Sequence, residues 1–118
     1  MLFRSAEVVL KRYLSPAHRD NTESGCPLPA VVGEVGTTAG EHRDVMASQV
    51  DAMASELAVH LPASESGTQK RYIALGLVAL MYGGLSISRA LRGTPLSDEM
   101  LKACRALGGI AARNDSKT

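Results

Sequence analysis

The chain has 118 residues, of which 45% are apolar but only 3% aromatic: three Tyr, one Phe and no Trp. An apolar share of that size excludes wholesale disorder, and the core must be assembled from Leu, Val, Met and Ala. Thirteen Lys and Arg face twelve Asp and Glu, so no basic excess advertises a nucleic-acid surface, and at this length one domain buries roughly two thirds of its unfolded surface without metals or disulfides.

Leu2, Phe3, Ala6, Val9, Leu10, Tyr13 and Leu14 fall at helical spacings, with Arg4, Glu7, Lys11 and Arg12 turned the other way. This predicts an amphipathic first helix that stops at Ser15-Pro16, because a residue before proline is pushed out of the helical region. The turn formers from there to Pro29 predict a loop. Pro27 and Pro29 suit the first turn of a short second helix with Leu28, Val31, Val32 and Val35 as its apolar strip. Thr38-Ala39-Gly40-Glu41 matches a capping box and predicts a third helix. Its apolar face is Met46, Val50, Met53, Leu57 and Leu61, and it ends before Pro62.

After a polar linker, Ala63 to Thr68, the segment from about Gln69 to Leu91 is the most apolar of the chain. Tyr72 to Ser88 is uncharged, at the lower length limit for a membrane span, and diluted by glycine and serine, which favours a buried helix over a bilayer crossing. Gly76, Ala79, Gly83, Ser86 and Ala90 recur at three and four, a small-residue seam that lets another helix approach closely. Glycine costs about 1 kcal/mol in a helix interior, and close packing would offset it. Ser97 is the expected N-cap of the last helix, with Leu96 and Leu101 as a hydrophobic staple, and Met100, Leu101, Cys104, Leu107 and Ile110 turned inward. Residues 113–118 read as a disordered tail. No segment sustains strand alternation. The expected fold is all-α, with about five helices in one domain over residues 1–112.

Chemistry-bearing patterns are sparse. His18, His42, His60, Cys26 and Cys104 show no closely spaced ligand pair, so neither a metal nor a cofactor is expected. There is no nucleophile elbow, phosphate loop or zinc-protease motif. Cys26, between Gly25 and Pro27 at an expected helix start, could have its thiol pKa lowered there, and it supplies an alternative reading as a small thiol-dependent enzyme. Met46, Met53, Met81 and Met100, with Leu57, Tyr72 and Tyr82, can serve either as core or as the lining of an apolar cavity. The absence of a secretory signal and the unpaired cysteines favour a reducing cytoplasm.

Two stretches carry a resemblance. Tyr13 to Asp20 (Tyr-Leu-Ser-Pro-Ala-His-Arg-Asp), continuing to Gly25-Cys26-Pro27-Leu28-Pro29, and Gly83 to Leu91 (Gly-Gly-Leu-Ser-Ile-Ser-Arg-Ala-Leu) with Leu96 to Arg105 resemble the C-terminal domain of bacterial TetR/AcrR-type transcriptional regulators. The resemblance implies an effector-binding and homodimerisation domain whose last two long helices pair with a second copy as a four-helix bundle. It would place Gly76, Ala79, Gly83, Ser86, Ala90, Met100, Cys104 and Leu107 at the dimer interface, and a small apolar effector near Met46, Val50, Met53, Leu57 and Tyr82. The helix-turn-helix that such regulators carry at their N-terminus has no counterpart here, so operator DNA is expected to be reached only through a module absent from this chain, which represses no promoter alone. A third reading is a helical partner that heterodimerises with a full-length regulator.

Overall fold

The computed structural model describes residues 6–21, 28–37, 40–62 and 66–113. Within them the chain is all-α, with no strand and six α-helices. The first, α1 (Ala6–Tyr13), buries Ala6 and Leu10, and Leu14 follows them into the core. Leu2 and Phe3 lie outside the described residues.

The chain does not stay irregular after Ser15-Pro16. A short helix, α2 (Pro16–Asp20), starts at once: Ser15 Oγ accepts from the His18 amide at 3.1 Å, and Pro16 takes the first helical position, where a missing amide hydrogen costs nothing. The same proline that ends one helix thus opens the next. Helix α3 (Leu28–Thr37) buries Val35 and leaves Val32 exposed. The expected capping residues Thr38 and Ala39 lie outside the described residues. A single 3-10 turn (Gly40–His42) leads into α4 (Arg43–Val59), with Leu57 and Leu61 buried and Met46, Val50 and Met53 half-buried as the spacing predicts.

Helix α5 (Gly67–Ala90) begins two residues before its expected start because Ser66 caps it, accepting from the Gln69 amide at 3.1 Å. It is long and apolar enough, by length and composition, to cross a membrane; here α6, α4, α3 and α1 pack around it. Gly93, at φ +90°, makes the turn that follows, a left-handed conformation that favours glycine. Helix α6 (Pro95–Arg113) then runs back along α5.

Two expectations for α6 are corrected. Ser97 is not the cap: Thr94 stands before the helix, its Oγ1 accepting from the Ser97 amide at 3.4 Å, and Pro95 occupies the first turn. Leu96 is therefore a helical residue, 52% exposed, and makes no staple with buried Leu101. Arg113, expected in the tail, ends the helix and pairs with Glu7; residues 114–118 lie outside the described residues.

The close approach between helices uses different glycines from the predicted seam. An added Cβ at Gly84 would meet Cys104 Sγ at 2.8 Å and Leu14 Cδ2 at 3.1 Å, and one at Gly108 would meet Leu10 Cδ1 and Leu80 Cδ2 at 3.0 Å. At Gly76 and Gly83 a Cβ would meet nothing within 4 Å. Gly84→Ala should therefore destabilise the fold by about 1–3 kcal/mol through overpacking, whereas Gly76→Ala should stabilise it by up to about 1 kcal/mol through helix propensity. Urea unfolding of the two variants checks this; equal effects would contradict the assignment of the contact face.

Candidate functional site

Three features of the surface bear on function: a groove, a bare helical face and a polar clasp. The groove, about 570 Å³, lies between α3, α4 and α5. Val32 and Gly33 form one edge, Met46 and Val50 another, and Leu75, Val78, Ala79, Tyr82, Gly83 and Ser86 of α5 the floor and far wall. Of the five residues expected to bind an effector, Met46, Val50 and Tyr82 line this groove. Met53 is half-buried and Leu57 fully buried, and both pack in the core instead.

Ala79, Gly83 and Ser86 were expected at a dimer interface, and they also form the α5 wall of the groove. The remaining seam residues, Gly76 and Ala90, are exposed, and with Tyr72 and Ile87, also exposed, they make a bare face of α5. On α6 the expected interface residues divide. Met100 is half-buried and Leu107 60% exposed, while Cys104 is buried inside the chain against Gly84. Leu107 and Ile110 do not turn inward: with Leu96 they form an exposed stripe at spacings of eleven and three along α6, with Met100 and Ala103 between them. The antiparallel register, with Gly84 at Cys104 and Leu80 at Gly108, runs this stripe alongside the bare face of α5; Ile110, at its edge, also lines a cleft between α6 and α1. Leu107 sits about 100° round α6 from buried Gly108, which spacing alone did not separate.

The clasp joins the two stretches that carry the family resemblance. Arg89 donates from Nε to the Arg19 carbonyl at 3.1 Å and from Nη2 to the His18 carbonyl at 3.0 Å, tying the end of α2 to α5. Arg19 reaches the other way, from Nη1 to Asp98 Oδ1 at 2.6 Å and Ser97 Oγ at 3.0 Å, and from Nε to Asp20 at 2.9 Å. Ser97 is fully buried and donates in turn to the Ser88 carbonyl at 2.6 Å. Arg105 donates to the Leu14 carbonyl at 2.5 Å, satisfying the frayed end of α1. Side-chain groups thus replace missing helical partners at both ends of a corner that has only five residues of helix of its own. Sequence reasoning placed these residues in two separate stretches and not in contact, because the partners that Arg19 and Arg89 join between them are 70 or more positions apart.

Cys104 is buried, and burial pushes its thiol pKa up, away from the thiolate form that nucleophilic attack needs. Cys26 lies outside the described residues. His18 Nδ1 donates to the Tyr13 carbonyl at 2.7 Å, while His42 and His60 sit beside Glu41 and Glu56. Among the described residues no three His, Cys, Asp or Glu gather as a metal site would require. Comparison of the chain with family models, curated proteins and solved structures finds no match to any of them.

The hydrogen bonds from Arg19 hold the Asp20 carboxyl below its ordinary pKa, and Asp20 and Asp98 raise that of Arg19. A folded-state pKa below the unfolded one means that Asp20 contributes stability fully above the ordinary carboxylate range and loses it as pH falls through the folded value. Asp20→Asn should therefore reduce stability at neutral pH and flatten its decline in acid, as followed by thermal unfolding between pH 7 and pH 3. Arg89→Ala, which strands the Arg19 carbonyl and leaves the His18 carbonyl only the Asn21 amide at 3.3 Å, should cost about 1–3 kcal/mol; a smaller loss in the same assay would show that the clasp does not hold the corner.

Proposed function

We propose that this chain is the effector-sensing and dimerisation domain of a TetR-like transcriptional repressor. On this reading it works in the cytoplasm as a homodimer, binds rather than catalyses, and reaches DNA through a helix-turn-helix module outside the chain. The observation that carries the proposal is the juxtaposition on α5: an apolar groove of effector size opens beside a bare face of small residues, continued by the apolar stripe on α6.

Two of the physical requirements are supported independently. A groove of about 570 Å³ lined by Met46, Val50 and Tyr82 suits a small apolar molecule, since methionine adapts its shape to the guest. Open space over Gly76 and Gly83 would let the backbone of a second helix approach, with Leu96 and Leu107 providing the apolar area. Because Ala79, Gly83 and Ser86 serve both features, effector occupancy and pairing would be energetically coupled, and each would alter the affinity of the other by the same factor.

Gly83→Leu tests pairing, because a Cβ at Gly83 meets nothing within 4 Å in its own chain and the longer side chain extends over the groove and the face beside it. Sedimentation should show the native protein as a dimer. The variant should show pairing weakened roughly tenfold or more, with helical content unchanged. Native protein that sediments as a single chain of 12.4 kDa at high concentration would contradict the reading. For the groove, Val50→Asp should abolish binding of an apolar fluorescent probe that the native protein takes up; unchanged uptake would remove the groove from the account.

A further inference from the structure

A second cavity lies on the other side of α6, between it and α1, and shares no lining residue with the groove. We propose that this cleft binds a small amphiphilic anion: a carboxylate carried on an apolar body. The cleft encloses about 420 Å³, within the range of small-molecule sites.

Its charge is one-sided. Lys11, Arg105 and Arg113 line it against a single carboxylate, Glu7. Arg113 pairs with Glu7 across the cleft. Arg105 donates one N–H to the Leu14 carbonyl, a neutral acceptor that leaves the guanidinium charge uncancelled. Lys11 is exposed and makes no hydrogen bond or ion pair with any described residue. Two positive charges therefore remain here after pairing, more than the +1 of the whole chain. Lysine and arginine near the end of α1 also balance the helix dipole, but a dipole needs no apolar cavity beneath them.

Such a cavity is present. Ala106 and Ile110, both exposed, form its apolar wall above buried Leu10. Gly109 is buried under the ion pair, where an added Cβ would meet Arg113 Nη1 at 3.2 Å and Glu7 Oε2 at 3.5 Å. Cations beside an apolar wall match a ligand with a charged head and an apolar body: the head takes charge-assisted hydrogen bonds from Lys11 and Arg105, and the body covers Ala106 and Ile110. Inorganic phosphate would use only the cations, and an alcohol only the wall.

Titration of the full chain with sodium octanoate, followed by backbone amide NMR, tests this against 1-octanol and phosphate. Octanoate should shift the amides of Leu10, Lys11, Ala106 and Gly109, and bind about tenfold or more tighter than either comparison compound. Lys11→Glu should weaken it by about tenfold, and added salt should weaken it further. Glu7→Gln frees Arg113 and should tighten binding by up to about fivefold, a gain that a purely structural ion pair does not predict. Lys102→Glu, elsewhere on exposed α6, should leave binding unchanged. The proposal is overturned if octanol binds as well as octanoate, if Lys11→Glu folds and binds normally, or if the shifts fall only in the groove at Met46, Val50 and Tyr82.

Discussion

The architecture depends on how α5 is covered. Its 24 residues supply more of the buried apolar core than any other described helix, and hydrophobic burial, at about 25 cal/mol per Å², makes covering them a main source of stability. Coverage comes from α6, α4, α3, α2 and α1: Cys104 of α6 and Leu14 close over Gly84 of α5, and Leu10 and Leu80 close over Gly108 of α6. The two glycines matter because they bring Cys104, Leu14, Leu10 and Leu80 into contact with backbone where any side chain would intrude. The face of Tyr72, Gly76, Ile87 and Ala90 is left exposed by the described residues, with the groove along one border and the α6 stripe along the other.

The clasp explains why this arrangement is held in register. Apolar contact is non-directional, and helices packed only through Leu, Ala and Met could slide by a turn at modest cost. Hydrogen bonds from Arg89, Arg19, Ser97 and Arg105 to carbonyls and hydroxyls at defined positions remove that freedom, because a shift would leave buried polar groups unpaired. The exposed ion pair Arg71–Asp51, at 2.5 Å, links α5 to α4 but contributes little in water. Register therefore comes from the α2 corner, and the faces of α5 and α6 inherit it.

Much of this was legible in the sequence. Hydrophobic period and the prolines placed α1, α3, α4, α5 and α6 to within a few residues, and Met46, Val50 and Tyr82, expected together, line one groove. What periodicity reports is that a face exists, not what covers it. Gly83 and Gly84 are neighbours in sequence, yet about 100° apart around the helix; one faces open space and the other a sulfur atom. Leu107 and Cys104 look equally apolar, and only the position of α5 and α1 decides that one is exposed and the other buried. Ser97 was misread because Thr94 and Ser97 both satisfy the composition of a cap, and the location of Pro95 in the first turn decides between them. The α1–α6 cleft carried no local signal at all, since Lys11 and Arg105 meet only after folding.

The proposed dimer requires that a second copy of the chain meet the exposed face of α5 and α6. Small-angle X-ray scattering of the native protein over a concentration series measures this without any substitution. A dimer gives a scattering mass twice 12.4 kDa and a radius of gyration well above the 14.5 Å of one chain. A mass of 12.4 kDa, with a radius near the single-chain value at every concentration, would contradict it.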